Sequence, residues 1–170
     1  TLYGRANLSM VFVNGKKPDG TNPNVYRVDS NSSRFGIRGT ESLGGGLNAI
    51  FQIENGSIDM AGTGGTLGGR DTFVGVSGSF GRVYMGHYSA PYDDITGIGG
   101  NNTLNTGILG QGNLWAQGTQ SDVNGGFDNR LKNSIRWDSP NWAGFVTSMQ
   151  FATAEDSPSA NSNQGSFSGK

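Results

Sequence analysis

Cysteine is absent from all 170 residues, which excludes a disulfide framework, a thiolate metal site and a Cys nucleophile. Histidine occurs once, at His87, so any catalytic triad or imidazole metal site rests on that residue alone. No apolar run approaches the ~20 residues a transmembrane helix needs. Twelve Lys and Arg against thirteen Asp and Glu give a net charge of -1, which leaves no global basic field for nucleic acid. Apolar residues are scarce at 33%, and the mean hydropathy is -0.45. A soluble β-sandwich carries more Val, Ile and Leu between its sheets. No secretory leader is visible, and the chain opens directly in strand-like sequence. A leader already removed is the expectation.

What is abundant is glycine, with 30 residues, and aromatics, with 3 Trp, 5 Tyr and 9 Phe. Disorder explains low hydropathy but not aromatics set in alternating runs. Period-two alternation is the dominant pattern. Leu2, Gly4, Ala6, Leu8, Met10 and Phe12 oppose Tyr3, Arg5, Asn7, Ser9 and Val11. A second strand ending near Arg38 sets Phe35 and Ile37 against Ser32, Arg34, Gly36 and Arg38. Around 47–54, Leu47, Ala49, Phe51 and Ile53 oppose Asn48, Gln52 and Glu54. Around 130–138, Leu131, Ile135 and Trp137 oppose Arg130, Lys132, Ser134, Arg136 and Asp138. Near 145–153, Phe145, Thr147, Met149 and Phe151 oppose Ser148 and Gln150. Segments 70–78 and 82–88 are strand-like without a clear facing, since Val74 and Val76 share parity with Arg70. The expectation is about seven strands, with an eighth starting near Ser166.

Connections alternate between short and long. Glu41–Gly46, Gly78–Gly81 and Ser139–Gly144 are short; 14–26, 56–69, about 89–129 and 154 onward are long, polar and Gly-rich. Tight turns at one end and long loops at the other fit a membrane barrel. A soluble sandwich would bury either the apolar face or the arginine face in its core. Burying several guanidinium groups in a dry core is costly, and a water-filled lumen removes the conflict.

The short connections resemble those of the Gram-negative general porins of the neisserial and β-proteobacterial type. The resemblance is carried by Leu2-Tyr3-Gly4, by Ser33-Arg34-Phe35-Gly36-Ile37-Arg38-Gly39-Thr40-Glu41-Ser42-Leu43-Gly44-Gly45-Gly46-Leu47, by Ser79-Phe80-Gly81-Arg82-Val83-Tyr84-Met85-Gly86, and by Trp137-Asp138-Ser139-Pro140-Asn141-Trp142-Ala143-Gly144-Phe145. Together they cover most of residues 1–151 in order. The resemblance implies an all-β, transmembrane antiparallel barrel of the 16-stranded type, usually a homotrimer in the Gram-negative outer membrane. It also implies that residues 1–170 are the N-terminal portion of a single barrel domain, with 89–129 as the third loop, folded inward. Such porins are roughly twice this length, and open sheet edges are not tolerated in lipid. An N-terminal fragment or an incomplete sequence is therefore expected.

Charge is distributed unevenly. Arg5, Arg34, Arg38, Arg70, Arg130, Lys132 and Arg136 fall in strand-like segments, whereas most acids, Glu41 among them, fall in connections. Only Glu54 and Asp71 give clear strand-borne negative charge. Aligned guanidinium groups on a pore wall concentrate anions, and their planar fork suits carboxylate and phosphate. By the family pattern, Arg34, Arg70 and Arg130 correspond to an arginine cluster at the constriction. Arg38 and Arg136 share facing with members of that set. Asp93 and Asp94 open the 89–129 loop and are expected to face the basic wall across the lumen. The competing readings are arginines that merely pair with loop acids, and a solvated external loop.

Weaker motifs point elsewhere. Adjacent Asp93 and Asp94 without a ligand-spaced loop do not specify Ca²⁺. Gly44-Gly45-Gly46-Leu47-Asn48-Ala49 formally satisfies a dinucleotide fingerprint, but a strand rather than a helix follows it. Tyr3, Tyr84, Trp137, Trp142 and Phe145 lie near strand ends and are candidates for interfacial girdles. The reading is a general-diffusion channel for small anions and hydrophilic solutes, in contact with membrane lipid and lipopolysaccharide. It has no cofactor, no metal and no catalytic residue. The rivals are a secreted, adhesin-like β-domain binding a partner through its loops, and a small closed barrel with enzymatic loops.

Overall fold

The computed structural model describes residues 1–15, 19–20, 24–31, 33–56, 67–92, 130–153 and 164–169. Ten β elements occur in it: β1 (Leu2–Arg5), β2 (Leu8–Asn14), β3 (Asn24–Ser30), β4 (Arg34–Gly44), β5 (Leu47–Gly56), β6 (Thr72–Gly78), β7 (Gly81–Ser89), β8 (Arg130–Asp138), β9 (Thr147–Ala152) and β10 (Gln164–Gly169). Eight form one antiparallel sheet in the order β1-β4-β5-β6-β7-β8-β9-β10, while β2 and β3 pair as a ribbon. The ribbon continues the β1–β4 pair across a bulge. Arg5 pairs with Arg34 and Leu8 with Ser30, so three residues on one strand face two on the other. The buried Ser33 hydroxyl closes the gap, accepting from Asn7 N–H at 2.9 Å and donating to Asn7 O at 3.0 Å. The extra residue resets the alternation. Tyr26 and Val28 are exposed on even positions before it, Phe35 and Ile37 on odd positions after it.

With continuity across this bulge there are eight strand positions among the described residues, the expected seven and the eighth expected near Ser166, which is β10, paired along its whole length with β9. The first long connection is shorter than 14–26, because β2 reaches Asn14 and β3 begins at Asn24. The first tight turn also contracts: β4 runs to Gly44, which places Glu41 within a strand. Gly44, Gly45 and Gly46 all have positive φ (88°, 60° and 80°), a conformation that L side chains resist. The third turn is a two-residue reversal at Ala143 (φ 54°) and Gly144 (φ 99°), closed by two backbone hydrogen bonds between Trp142 and Phe145.

Register aligns the apolar side chains into rows. Phe51, Val74, Met85, Ile135 and Phe151 pair successively across five strands. Ala49, Val76, Val83, Trp137, Met149 and Phe167 form the next row, and Leu2, Ile37 and Ile53 another. Most of these large side chains are exposed, so the sheet has a greasy outer surface rather than a core on that side. The opposite face between β7 and β9 is polar and buried: Tyr84, Tyr88, Ser134, Arg136, Asp138, Ser148 and Gln150. Val74 and Val76 lie on the apolar face and Phe73 on the polar one, where its ring packs 4.7 Å from that of Tyr84. Arg70 precedes β6, outside the alternation, and this is why its parity misleads.

Candidate functional site

Two charge clusters stand on the polar face. The first is built around Glu54 in β5, whose carboxylate is nearly buried. Its Oε1 accepts from Arg70 Nε at 2.6 Å and its Oε2 from Tyr3 OH at 2.8 Å, with Arg34 Nε 3.9 Å away. The backbone fixes this arrangement, since Glu54 pairs with Gly36 and Arg70 N–H donates to Glu54 O at 3.0 Å. Gly36 leaves room for the Tyr3 hydroxyl, which lies 2.7 Å from where a Cβ would stand. Arg38 is exposed, with its guanidinium carbon 5.0 Å from the centre of the Tyr3 ring. Two guanidinium groups therefore meet this carboxylate, and a third, Arg38, lies against the tyrosine that also bonds it.

Arg130 is located by Asp71: its Nε donates to Asp71 Oδ1 at 2.9 Å, and Ser89 N–H donates to the same oxygen at 3.3 Å. Asp71 lies in the bend before β6 rather than in a strand. Alternation does not carry from Arg136 back to Arg130. Asn133 has φ 46° and a bulge intervenes, so Ser134 pairs with Gly86 but Leu131 with Tyr88. The expected shared facing of Arg130, Lys132 and Arg136 fails at that extra residue.

The second cluster centres on Asp138, a strand-borne acid that the charge survey passed over. Asp138 Oδ1 accepts from Arg136 Nε and Oδ2 from Arg82 Nε, each at 2.6 Å, and Tyr84 OH donates to Oδ2 at 2.9 Å. Arg136 is only 4% exposed and also donates to Ser89 O and Ser148 Oγ. Such a buried, fully engaged pair braces three strands and offers little surface to a solute. Arg82 was missed among the strand-borne cations, although its parity with Tyr84 carries the signal.

Of the expected positions, Arg34 and Arg70 come together at Glu54, Arg38 packs on the Tyr3 that bonds it, Arg130 joins Asp71, and Arg136 belongs to the second cluster. Asp93 and Asp94 lie outside the described residues. The girdle reading fails for Tyr3 and Tyr84, whose hydroxyls bond acids on the polar face. Trp142 and Phe145 are exposed at the short-turn end with Leu43 and Phe80. Trp137 joins them, its Nε1 donating to Phe80 O at 2.9 Å and its ring 6.4 Å from that of Trp142. His87 pairs with Thr72 within the sheet.

The eight-stranded sheet thus carries rows of apolar side chains on one face and guanidinium groups with their acids on the other. The chain is 33% identical over 168 residues to outer membrane porin protein 32 of Delftia acidovorans, covering 91% of this chain and 44% of that one. It is 31% identical over 170 residues to the major outer membrane protein P.IB of Neisseria gonorrhoeae, covering 94% and 44%. The anion-selective porin from Comamonas acidovorans superposes with a TM-score of 0.69 at 31% identity, over 92% of this chain and 47% of that structure. The chain thus spans less than half the length of the relatives it matches. The Gram-negative porin family model matches residues 1–170, and the chain belongs to that family of outer-membrane β-barrels.

Proposed function

We propose that the protein containing this chain is a general-diffusion porin, a water-filled channel for small hydrophilic solutes with a preference for anions, and not an enzyme. The observation that carries this reading is the pairing of Arg34 and Arg70 with the single carboxylate of Glu54, with Arg38 against the Tyr3 that bonds the same acid, on the face opposite the apolar rows. Guanidinium groups outnumber the acid, so the local field attracts anions, and a low-dielectric wall focuses it. Arg130 extends the path, tethered by Asp71. Arg136 serves it indirectly, as a brace. The likeness to a porin described as anion-selective supports the same preference.

Residues 1–170 then form part of a single barrel domain of 16 strands. Residues 89–129 connect β7 to β8 and narrow the channel, with Asp93 and Asp94 opposite the arginines. The length of that connection supports this role, since a hairpin needs far less. Outer-membrane lipid and lipopolysaccharide surround the barrel, and three copies assemble. A secreted adhesin would leave the apolar rows in water, where so large a patch is an aggregation hazard.

Planar bilayer recordings of the complete protein test the reading. Stepwise conductance with a reversal potential favouring anions is expected, and neutralising Arg34, Arg70 and Arg130 together should lower that preference. An unchanged reversal potential in the triple variant would remove these arginines from the selective path.

A further inference from the structure

Arg34, Arg70 and Arg130 stand at the end of the sheet that carries the long connections: Arg34 opens β4 opposite Gly56, Arg70 precedes β6 and Arg130 opens β8. Arg82 stands at the other end, two residues past the tight turn at Ser79–Phe80. Register fixes its height. Arg38 pairs with Gln52, whereas Asn48 of the same strand pairs with Ser77, the partner of Arg82. Four residues along β5 separate the two levels by about 13 Å.

The chemistry around Arg82 differs from that around Arg136. Both guanidinium groups draw on the one Asp138 carboxylate, which is itself 5% exposed. Arg136 is the buried partner, whereas the Arg82 side chain is 51% exposed. Its Nε is pinned to Asp138 Oδ2 and its guanidinium carbon lies 5.1 Å from the centre of the Tyr84 ring. Among the described residues, Asp138 and the Tyr84 ring are its partners, and no protein acceptor engages Nη1 or Nη2. A planar fork held at one nitrogen, with its remaining donors open, is preorganised for a carboxylate, sulfate or phosphate oxygen.

We propose that Arg82 is a second anion-binding station at the short-turn mouth of the channel, receiving small oxyanions four residues of strand away from the level of Arg38 and six from that of Glu54. This rests on the porin reading above. Asp138 acts as its positioning residue: it fixes the fork while Arg136 offsets the carboxylate charge from behind. Two stations in series let an anion pass from one cation to the next without a deep trap at either.

Residues 1–170 contain no cysteine, so Arg82→Cys introduces a thiol whose modification can be compared with identically treated parent channels. The complete protein is reconstituted in planar bilayers under a salt gradient, and the anion-to-cation permeability ratio is read before and after reagent. Arg82→Cys should lower the ratio about twofold, the effect of one unit charge acting across several ångströms of water. A cationic methanethiosulfonate should restore it, and an anionic one should lower it further. The reagents act on channels already folded and conducting, so misfolding cannot mimic these responses. Arg82→Gln serves the same comparison if the cysteine variant yields no channels. A ratio unmoved by substitution and by both reagents overturns the station. If the Arg34, Arg70 and Arg130 triple variant still lowers the preference in those bilayers, the failure is confined to Arg82; if it does not, the anion-selective reading falls with it.

Discussion

At the scale of single residues, the polar face is held by acids shared among arginines. Asp138 is the clearest case, because Arg136, Arg82 and Tyr84 all converge on its two oxygens. Removing one member of a buried pair strands the other charge, which costs about 3–5 kcal/mol. Arg136→Ala leaves Asp138 still paired with Arg82, so a loss at the low end of that range, about 3 kcal/mol, is expected in urea titrations from lipid. Tyr84→Phe removes one hydrogen bond and leaves both cations in place, so a smaller loss of about 1 kcal/mol is expected. Equal losses in the two variants would show that packing, rather than the shared carboxylate, dominates there. Glycine carries a second residue-scale constraint. A Cβ at Gly75 would collide with Val83 O and with the Tyr84 backbone and Cβ. Gly75→Val should abolish refolding, read as loss of heat-modifiable gel mobility.

At the scale of elements, alternation was legible wherever a strand ran without interruption. β5 shows this best: Phe51 and Ile53 against Gln52 and Glu54 follow from parity alone, and register confirms them. Bulges defeated the same reasoning. The extra residue near Ser33 hid β3 ahead of the strand ending near Arg38, with its first residues assigned to the 14–26 connection, since a single insertion reverses every side chain beyond it. The one at Asn133 separated Arg130 from Arg136, and a positive φ at a non-glycine residue leaves no sequence signature. The arginine cluster was partly legible, because its members sit in strands or beside them. Its organising acid Glu54 was noticed, but not that Arg34 and Arg70 meet there, because the contact joins residues far apart in sequence. Apolar rows make a further element-scale prediction. Ile135 lies mid-row on the outer face of β8, and a charge at mid-membrane depth on a barrel costs about 2–4 kcal/mol. Ile135→Arg should lower stability in lipid by that amount, whereas Lys132→Arg, on an exposed and already charged position, should leave it unchanged.

At the scale of the whole molecule, the sheet has two solvents. Its edges are β1 and β10, and between them every strand presents apolar side chains to one side and polar ones to the other. Selectivity, the brace at Asp138 and the aromatic patch at the short turns all presuppose that division. β5 tests it most directly, because four consecutive positions alternate without a bulge. Single spin labels at Phe51, Gln52, Ile53 and Glu54 of the complete protein in bilayers can be read by collision with oxygen, which favours lipid, and with a water-soluble nickel chelate. The account predicts oxygen-dominated relaxation at Phe51 and Ile53 and nickel-dominated relaxation at Gln52 and Glu54. Equal accessibility at all four positions, or the reverse alternation, would contradict it.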